Sequence, residues 1–240
     1  MTKVLVLGGT AEARALAATL HELPEVTVVS SLAGRVRDPR LPVGEVRVGG
    51  FGGPERLAEW LSDNGVTAVV DATHPFAERI SAAAAAATRA ADVPLIMLRR
   101  PGWPSRPGWH WVDDLHNARA VAESLGERVF LTTGRQGLPA FADSSHWYLI
   151  RCVDQPDSPL PARAEVLLDR GPYTVDGELA LLREHRIDVL VTKDSGGPLT
   201  VAKLDAAERL GVPVVVVRRP ATPDLDAVDT VEAVLEWLRR

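Results

Sequence analysis

Short runs of apolar, mostly β-branched residues recur along this 240-residue chain, and amphipathic stretches of helical length separate them. The first two runs are Lys3–Leu7 and Val26–Ser30, and between them Leu16 and Leu20 stand four residues apart, as on one face of a helix. Strands that are apolar on both faces are typical of parallel sheets covered by crossover helices. The pattern therefore predicts an α/β protein.

A segment rich in proline and glycine interrupts this alternation near the middle of the chain. Between Arg99 and Trp109 there are three prolines and two glycines, a composition typical of a connection between domains. We therefore predict two Rossmann-like lobes, each a mostly parallel sheet flanked by helices. Residues 1–102 form a dinucleotide-binding domain and residues 103–240 an α/β substrate-binding domain. Such pairs usually bind ligands in the cleft between them, at the carboxyl ends of the strands.

Charge and cysteine content exclude several classes of function. Lysine and arginine number 27 against 32 acidic residues, a net charge of −5 that disfavours nucleic-acid binding. The single cysteine, Cys152, cannot form an internal disulfide, and no CxxC or helical HxxxH spacing offers a metal site. No signal-peptide pattern and no apolar run of about 20 residues occurs. We expect a cytoplasmic protein without a metal and without a membrane partner.

A glycine-containing turn follows the first strand, where a dinucleotide fold needs small residues so that backbone N–H groups can approach pyrophosphate. Its candidate cofactor-binding residues are Gly8, Gly9, Thr10, Glu12 and Ala13. The sequence of this turn differs from the GxGxxG motif because Thr10 stands at the position of the second glycine. An ordinary tight turn between a strand and a helix is the alternative.

No acidic residue follows the second strand, although an NAD-binding fold usually has one there. Ser30, Ser31 and Arg35 occupy this region instead. Hydroxyl groups with a guanidinium suit a 2′-phosphate, so they favour NADPH as the cofactor. The alternative is a solvated basic loop. Gly50 and Phe51, in the glycine-rich turn after the third strand, complete the candidate cofactor site together with Thr73.

Two residues are candidates for proton transfer. His74 follows a central strand and could donate a proton, or it could simply be a hydrogen-bonded residue at the start of a helix. Lys193 follows a buried strand of the second lobe and is one of only three lysines in the chain. A chance surface lysine is the alternative for Lys193.

Two polar, glycine-containing segments follow strands of the second lobe and resemble anion-binding loops. The first contains Thr133, Gly134 and Arg135, and the second contains Ser195, Gly196 and Gly197. We assign these six residues to substrate binding.

Seven motifs, read together, resemble the precorrin-6A reductases of cobalamin biosynthesis. They are LGGTAEA from Leu7, SLAGR from Ser31, GGFGG from Gly49, DATHPFA from Asp71, RRPGW from Arg99, LTTGRQGL from Leu131 and TKDSGG from Thr192. The likeness spans nearly the whole chain. It implies an enzyme that uses NADPH to reduce one double bond of the tetrapyrrole precorrin-6A to give precorrin-6B.

The implied substrate carries many carboxylates, so this acidic protein needs cations gathered at its site. Arg100 can supply one in addition to Arg35, Arg135 and Lys193. A non-catalytic NADP-binding sensor and a reductase of another small substrate remain the alternatives. The sequence leaves both a monomer and a weak homodimer open.

Overall fold

The computed structural model describes residues 2–34 and 37–240, which form two compact units. The first unit contains the chain up to Pro101 together with Pro220–Arg240, and the second contains Gly102–Arg219. The predicted second domain, 103–240, is therefore wrong at its end. The last segment lies in the first unit because its strand and helix complete the sheet and the core there.

The chain up to Pro101 alternates strands and helices. Its elements are β1 (Thr2–Leu7), α1 (Ala11–His21), β2 (Val26–Leu32), β3 (Glu45–Val48), α2 (Pro54–Asp63), β4 (Ala68–Asp71), α3 (Glu78–Ala91) and β5 (Leu95–Leu98). Helix α3 begins only at Glu78, because the residues before it form a turn in which the Ala77 N–H bonds the His74 carbonyl oxygen.

The second unit repeats the alternation. Its elements are β6 (Trp109–Val112), α4 (Leu115–Leu125), β7 (Arg128–Leu131), β8 (Trp147–Cys152), β9 (Arg163–Leu168), α5 (Val175–Glu184), β10 (Val189–Lys193), α6 (Ala202–Leu210) and β11 (Val214–Val217). Short 3₁₀ turns span Arg135–Phe141 and Pro198–Thr200. The chain then returns to the first unit with β12 (Ala227–Val228) and α7 (Val231–Leu238).

Within the described residues, each unit contains a six-stranded sheet whose paired strands are parallel. The strand order is β12-β5-β4-β1-β2-β3 in the first unit and β6-β11-β10-β7-β8-β9 in the second. These sheets confirm the predicted α/β class with two parallel-sheet lobes.

Both faces of the first sheet are covered, which explains the continuous apolar runs in the sequence. On one face, Leu16 and Leu20 of α1 and Val234 of α7 pack against β1 and β4. On the other face, Leu57 and Leu61 of α2 pack beside the small buried alanines of α3. The second unit has its own apolar core between its sheet and helices α5 and α6.

Each sheet has a point at which the chain reverses its direction of strand addition. In the first unit this point lies between β1 and β4, and in the second it lies between β7 and β10. Ligands of open parallel sheets bind at the carboxyl ends of the strands beside such a point. The loops after β1, β4, β7 and β10 are therefore the candidate ligand-binding loops. None of the described helices is long and apolar enough to cross a membrane.

Candidate functional site

The loop after β1 is held by hydrogen bonds from both sides. The Thr10 side chain accepts from the Ala13 N–H at 3.1 Å, which caps α1, and its hydroxyl donates to the Ala72 carbonyl oxygen at 2.8 Å. The Gly8 N–H donates to the Ser31 carbonyl oxygen at 2.9 Å. Because the Thr10 hydroxyl is used in this way, the loop can offer a ligand mainly backbone groups and the start of α1.

Gly9 keeps this loop open toward a ligand. Its φ of +116° strongly favours glycine, and among the described residues no atom lies within 4 Å of a Cβ built at this position. The residues that line the adjoining pocket are Gly8, Gly9, Ala13, Arg14, Ser30, Leu32, Arg40 and Pro42.

Ser30 gives this pocket an unsatisfied polar group. Its hydroxyl is buried and has no hydrogen-bond partner in the part of the chain that the structure describes. A buried group of this kind costs free energy unless a ligand or water bonds it. Arg14 and Arg40 also line this pocket, so two cationic side chains accompany the unsatisfied hydroxyl. Arg35, predicted to bind here, lies outside the described residues.

The glycine-rich turn after β3 is organised by Arg47. Its guanidinium donates to the carbonyl oxygens of Gly49 at 2.6 Å and Gly50 at 2.8 Å, and it lies 3.7 Å from the centre of the Phe51 ring. It also donates to the Ser31 hydroxyl at 3.4 Å. Burial lowers the pKa of Arg47. The Gly50 carbonyl and the Phe51 ring, both assigned to the cofactor from sequence, are thus engaged within the protein.

A buried carboxylate fixes the loop after β4. Asp71 is fully buried, and it accepts from the Thr73 N–H at 3.0 Å, the Thr73 hydroxyl at 2.6 Å and the Ser81 hydroxyl at 2.5 Å. The Arg99 guanidinium lies 3.8 Å from it. Burial lowers the pKa of Arg99, and the charge of Asp71 partly offsets this. Thr73 was predicted to bind the cofactor, but its hydroxyl is hydrogen-bonded within the loop itself.

His74 follows this anchored segment. Its Nδ1 accepts from the Phe76 N–H at 3.3 Å, so the neutral imidazole carries its proton on Nε2. A hydrogen bond of His74 to its own loop is thus observed. In this arrangement the proton that the neutral ring can donate is the one on Nε2.

Two predicted site residues meet at the same sheet edge. Arg100 donates to Glu12 at 2.7 Å, and both side chains are only partly exposed. A second small pocket here is lined by Thr10, Glu12, Thr73, Pro75, Leu98, Arg99 and Arg100. The loops after β1, β4 and β5 therefore converge where the sheet reverses direction.

In the second unit, the loop after β7 contains an unsatisfied hydroxyl. Thr133 is 6% exposed, and its Oγ1 has no hydrogen-bond partner among the residues described. Gly137 leaves room for it, because a Cβ there would lie 2.7 Å from that oxygen. Gly134 has a φ of +76°, and no described atom lies within 4 Å of a Cβ built on it. Arg135 donates to the Gln155 carbonyl oxygen at 3.4 Å.

The loop after β10 begins at a buried carboxylate that the sequence analysis did not single out. Asp194 accepts from the Trp103 N–H at 3.0 Å, and Arg219 Nε donates to the Asp194 carbonyl oxygen at 2.9 Å. The Ser195 N–H bonds the Lys193 carbonyl oxygen at 2.7 Å, a tight turn that leads into the loop's two glycines.

Gly196 and Gly197 have φ angles of +65° and +78°, so both positions favour glycine. Burial lowers the pKa of Lys193, which precedes them. Partial desolvation makes this ammonium a better proton donor than an exposed lysine.

The sequence analysis also did not single out Lys203 and Asp71 as residues that organise the candidate site. Lys203 carries the same signal of lysine rarity that directed attention to Lys193, and that signal could have found it. A buried carboxylate cannot be told from a solvated one by sequence alone. Elsewhere in residues 2–34 and 37–240, no group of three or more His, Cys, Asp or Glu side chains is arranged to hold a metal ion.

Parallel sheets with glycine-bearing loops at both reversal points define a doubly wound α/β protein, a class that includes many nucleotide-binding proteins. The family model for precorrin-6x reductase CbiJ/CobK matches residues 3–239. The precorrin-6A reductase of Rhodococcus erythropolis is 56% identical over 242 residues, covering 99% of this chain and 98% of that protein. That of Mycobacterium tuberculosis H37Rv is 54% identical over 240 residues, covering 99% and 98%.

A solved structure of CobK precorrin-6A reductase has 44% identity and a TM-score of 0.92, and the match covers 100% of this chain and 96% of that one. The chain belongs to the precorrin-6x reductase CbiJ/CobK family. It is an oxidoreductase of cobalamin biosynthesis, and reduction in this family implies a nicotinamide cofactor.

Proposed function

We propose that this protein uses NADPH to reduce one double bond of precorrin-6A, giving precorrin-6B. The observation that carries this function is the match over nearly the full length to proteins named precorrin-6A reductase. The unsatisfied hydroxyl and loop glycines of the second unit support a substrate rich in hydrogen-bond acceptors. A sensor that only bound a dinucleotide would have no use for them.

The first unit supplies the cofactor site. Gly8, Gly9 and the start of α1 hold the pyrophosphate, because the loop there offers backbone N–H groups and no side chain at Gly9. The Ser30 hydroxyl and the Arg14 and Arg40 guanidinium groups bind the adenosine end, where cations favour a 2′-phosphate and hence NADPH. Ser31 and Arg35 belong to the same proposed subsite.

The cofactor, when bound, supplies the hydride. The Glu12–Arg100 pair shapes the neighbouring pocket and holds the Arg100 cation in place for an anionic group. Asp71 fixes the backbone of the loop that carries His74. These groups position and orient, and none of them forms a covalent bond to the substrate.

The second unit binds the macrocycle and delivers the proton that accompanies hydride addition. Thr133 Oγ1 and the backbone of Gly134, Gly196 and Gly197 take substrate carboxylates, with Arg135 and Ser195 beside them. Lys193 donates the proton, because its desolvated ammonium gives up a proton more readily than an exposed one. His74 Nε2 is the second candidate donor.

Visible absorption spectroscopy tests this function directly. Anaerobic mixing of the protein with NADPH and precorrin-6A should shift the macrocycle's absorption, since one conjugated double bond is lost, with consumption of one equivalent of NADPH. NADH in place of NADPH should react much more slowly. Absence of any shift with folded, cofactor-bound protein would overturn the proposal. Lys193→Arg keeps a cation that cannot release a proton, so kcat should fall while KM changes little.

A further inference from the structure

Lys203 is a buried lysine close to the proposed substrate loop. It is 3% exposed and lies in the first turn of α6. Its ammonium donates to the Thr200 carbonyl oxygen at 2.7 Å, at the end of the segment that begins with Asp194. It also lies 4.9 Å from the centre of the Trp103 ring.

Trp103 holds the same segment at two other places. Its backbone N–H donates to Asp194 Oδ1 at 3.0 Å, and its indole Nε1 donates to the Gly197 carbonyl oxygen at 3.2 Å. Trp103 and Lys203 therefore contact each other and together fix the beginning, the middle and the end of residues 194–200. We call these residues the 194–200 loop.

A gain in stability does not explain why a lysine is buried at position 203. Its pKa is lowered to about 7, mainly by burial and also by the charge of Arg151, while the charge of Glu178 acts in the opposite direction. Glu178 is already bonded by Arg151 at 2.5 and 3.1 Å, so Lys203 has no carboxylate of its own within this cluster. A cation in the first turn of a helix also opposes the helix dipole. Methionine would fill a similar volume without either cost.

We propose that Lys203 is a positioning residue that fixes the 194–200 loop, through Thr200 and Trp103, in the conformation that binds the macrocycle. This inference rests on the proposed function, in which Gly196 and Gly197 take substrate carboxylates. Because both glycines can adopt many backbone conformations, the loop loses entropy when it binds a ligand unless its conformation is already fixed. Lys203 contributes that fixation from beneath the loop, without touching the substrate.

The variant Lys203→Met tests the proposal with two readouts. Hydrogen exchange of the backbone amides in 195–200, measured by mass spectrometry, should become about tenfold faster, the effect of losing a hydrogen bond from a charged donor. KM for precorrin-6A should rise about tenfold, with KM for NADPH within twofold of wild type. The melting temperature at neutral pH should stay the same or rise, because a desolvated cation has been removed.

Lys3→Met is the matched control, since Lys3 lies at the start of β1 in the other unit, at the opposite end of the strands from the loops. It should change none of these quantities. Exchange and KM within twofold of wild type in a folded Lys203→Met protein would overturn the proposal.

Trp103→Phe provides a second, independent variant. It keeps an aromatic ring beside Lys203 but removes the bond to the Gly197 carbonyl oxygen, so it should speed exchange in the same residues. If Lys203→Met does not fold, unchanged exchange and KM in Trp103→Phe overturn the proposal. If wild-type protein fails to reduce precorrin-6A, the proposed function fails, whereas the exchange measurement still decides whether Lys203 holds the loop.

Discussion

Two buried polar side chains at the carboxyl ends of central strands differ in how well they are satisfied. Asp71 accepts hydrogen bonds from Thr73 and Ser81, and it therefore acts as an anchor. Thr133 Oγ1 has no partner among the described residues, although it is equally close to a reversal point. A buried hydroxyl without a partner is destabilising in the free protein and becomes useful only when a ligand bonds it.

Thr133→Val should therefore separate stability from binding. Valine has nearly the same shape and no hydroxyl, so the free energy of unfolding should rise by about 1 kcal/mol. KM for precorrin-6A should rise severalfold because a hydrogen bond to substrate is lost. Thermal unfolding and steady-state kinetics measure the two effects. Thr132→Val is the control, because the Thr132 hydroxyl already bonds the Val191 carbonyl oxygen at 3.0 Å and its loss should bring no gain in stability.

The titration of Lys203 should appear in the pH dependence of stability. Its pKa is about 7 in the folded protein and its ordinary value is 10.5, so between these values the unfolded chain binds the extra proton. Stability then rises with pH across this window, by at most about 1.4 kcal/mol per pH unit. Arg151 and Glu178 are the charged groups that interact with Lys203.

Urea unfolding of wild type and Lys203→Met between pH 7 and pH 9 checks this sign. The free energy of unfolding of the wild type should increase relative to that of the variant as the pH rises, because the variant lacks the titrating group. A difference that stays constant with pH would show that Lys203 keeps the same protonation in both states.

At the scale of elements, the loops after β7 and β10 contain glycines beside open space. A single substitution that adds a side chain at such a glycine can fill that space. Gly134 and Gly108 form a matched pair, with φ angles of +76° and +77° and, among described residues, no atom within 4 Å of a built Cβ at either. Gly134 follows β7 at the carboxyl edge of the sheet, whereas Gly108 precedes β6 at the amino edge.

Gly134→Ala and Gly108→Ala should each destabilise the protein by about 1 kcal/mol, since both place alanine in the left-handed region. Only Gly134→Ala should raise KM for precorrin-6A, because its methyl group occupies the space proposed for a carboxylate. Titration of macrocycle binding by absorption measures the difference. Equal KM values for the two variants would remove the loop after β7 from the substrate site.

The strands that are buried on both faces are the easiest to predict from the sequence. The strand Trp147–Cys152, for example, begins with four consecutive apolar residues, a pattern that marks a central strand. The edge strand Arg163–Leu168 was missed, since polar residues interrupt its pattern and one face is solvated. Helix α4 was also missed, although Asp114 caps it by accepting from the Asn117 N–H at 2.8 Å, a signal present in the sequence.

The site was predictable in its loops and less so in its side chains. Strand ends identify the loops that a parallel sheet exposes at its carboxyl edge, and the predicted loops follow such strand ends in the structure. Which hydroxyl is free and which is used depends on contacts between loops distant in sequence. Thr10 and Thr73 bond Ala72 and Asp71, whereas Ser30 and Thr133 have no partner in the described chain.

At the scale of the whole molecule, the return of the last segment to the first unit determines which part its loss would affect. Val234 of α7 is fully buried in the core that contains Leu16 and Leu20, and β12 pairs with β5. The C-terminus thus supports the unit that holds the proposed cofactor site. No local pattern in the sequence predicts that the last segment returns to the first unit, because a two-residue strand has no periodicity.

Val234→Ala should destabilise the first unit by about 2 kcal/mol through the cavity it leaves. Hydrogen exchange should rise in β1 and β4, and affinity for NADPH should fall with it. Leu182→Ala, made at a buried position of the second unit, is the counterpart and should raise exchange in β7 and β10 instead. Faster exchange in β7 and β10 for Val234→Ala would contradict this assignment.

Asp194 holds both ends of the second unit, through the Trp103 N–H at one end and Arg219 at the other. A domain whose entry and exit lie side by side is a self-contained module that can sit inside a host chain without interrupting the host's own sheet. The second unit could thus be excised at Gly102 and Arg219 as one continuous gene fragment, or grafted into another host loop. The first unit has no such single fragment, because its sequence is split around the inserted module.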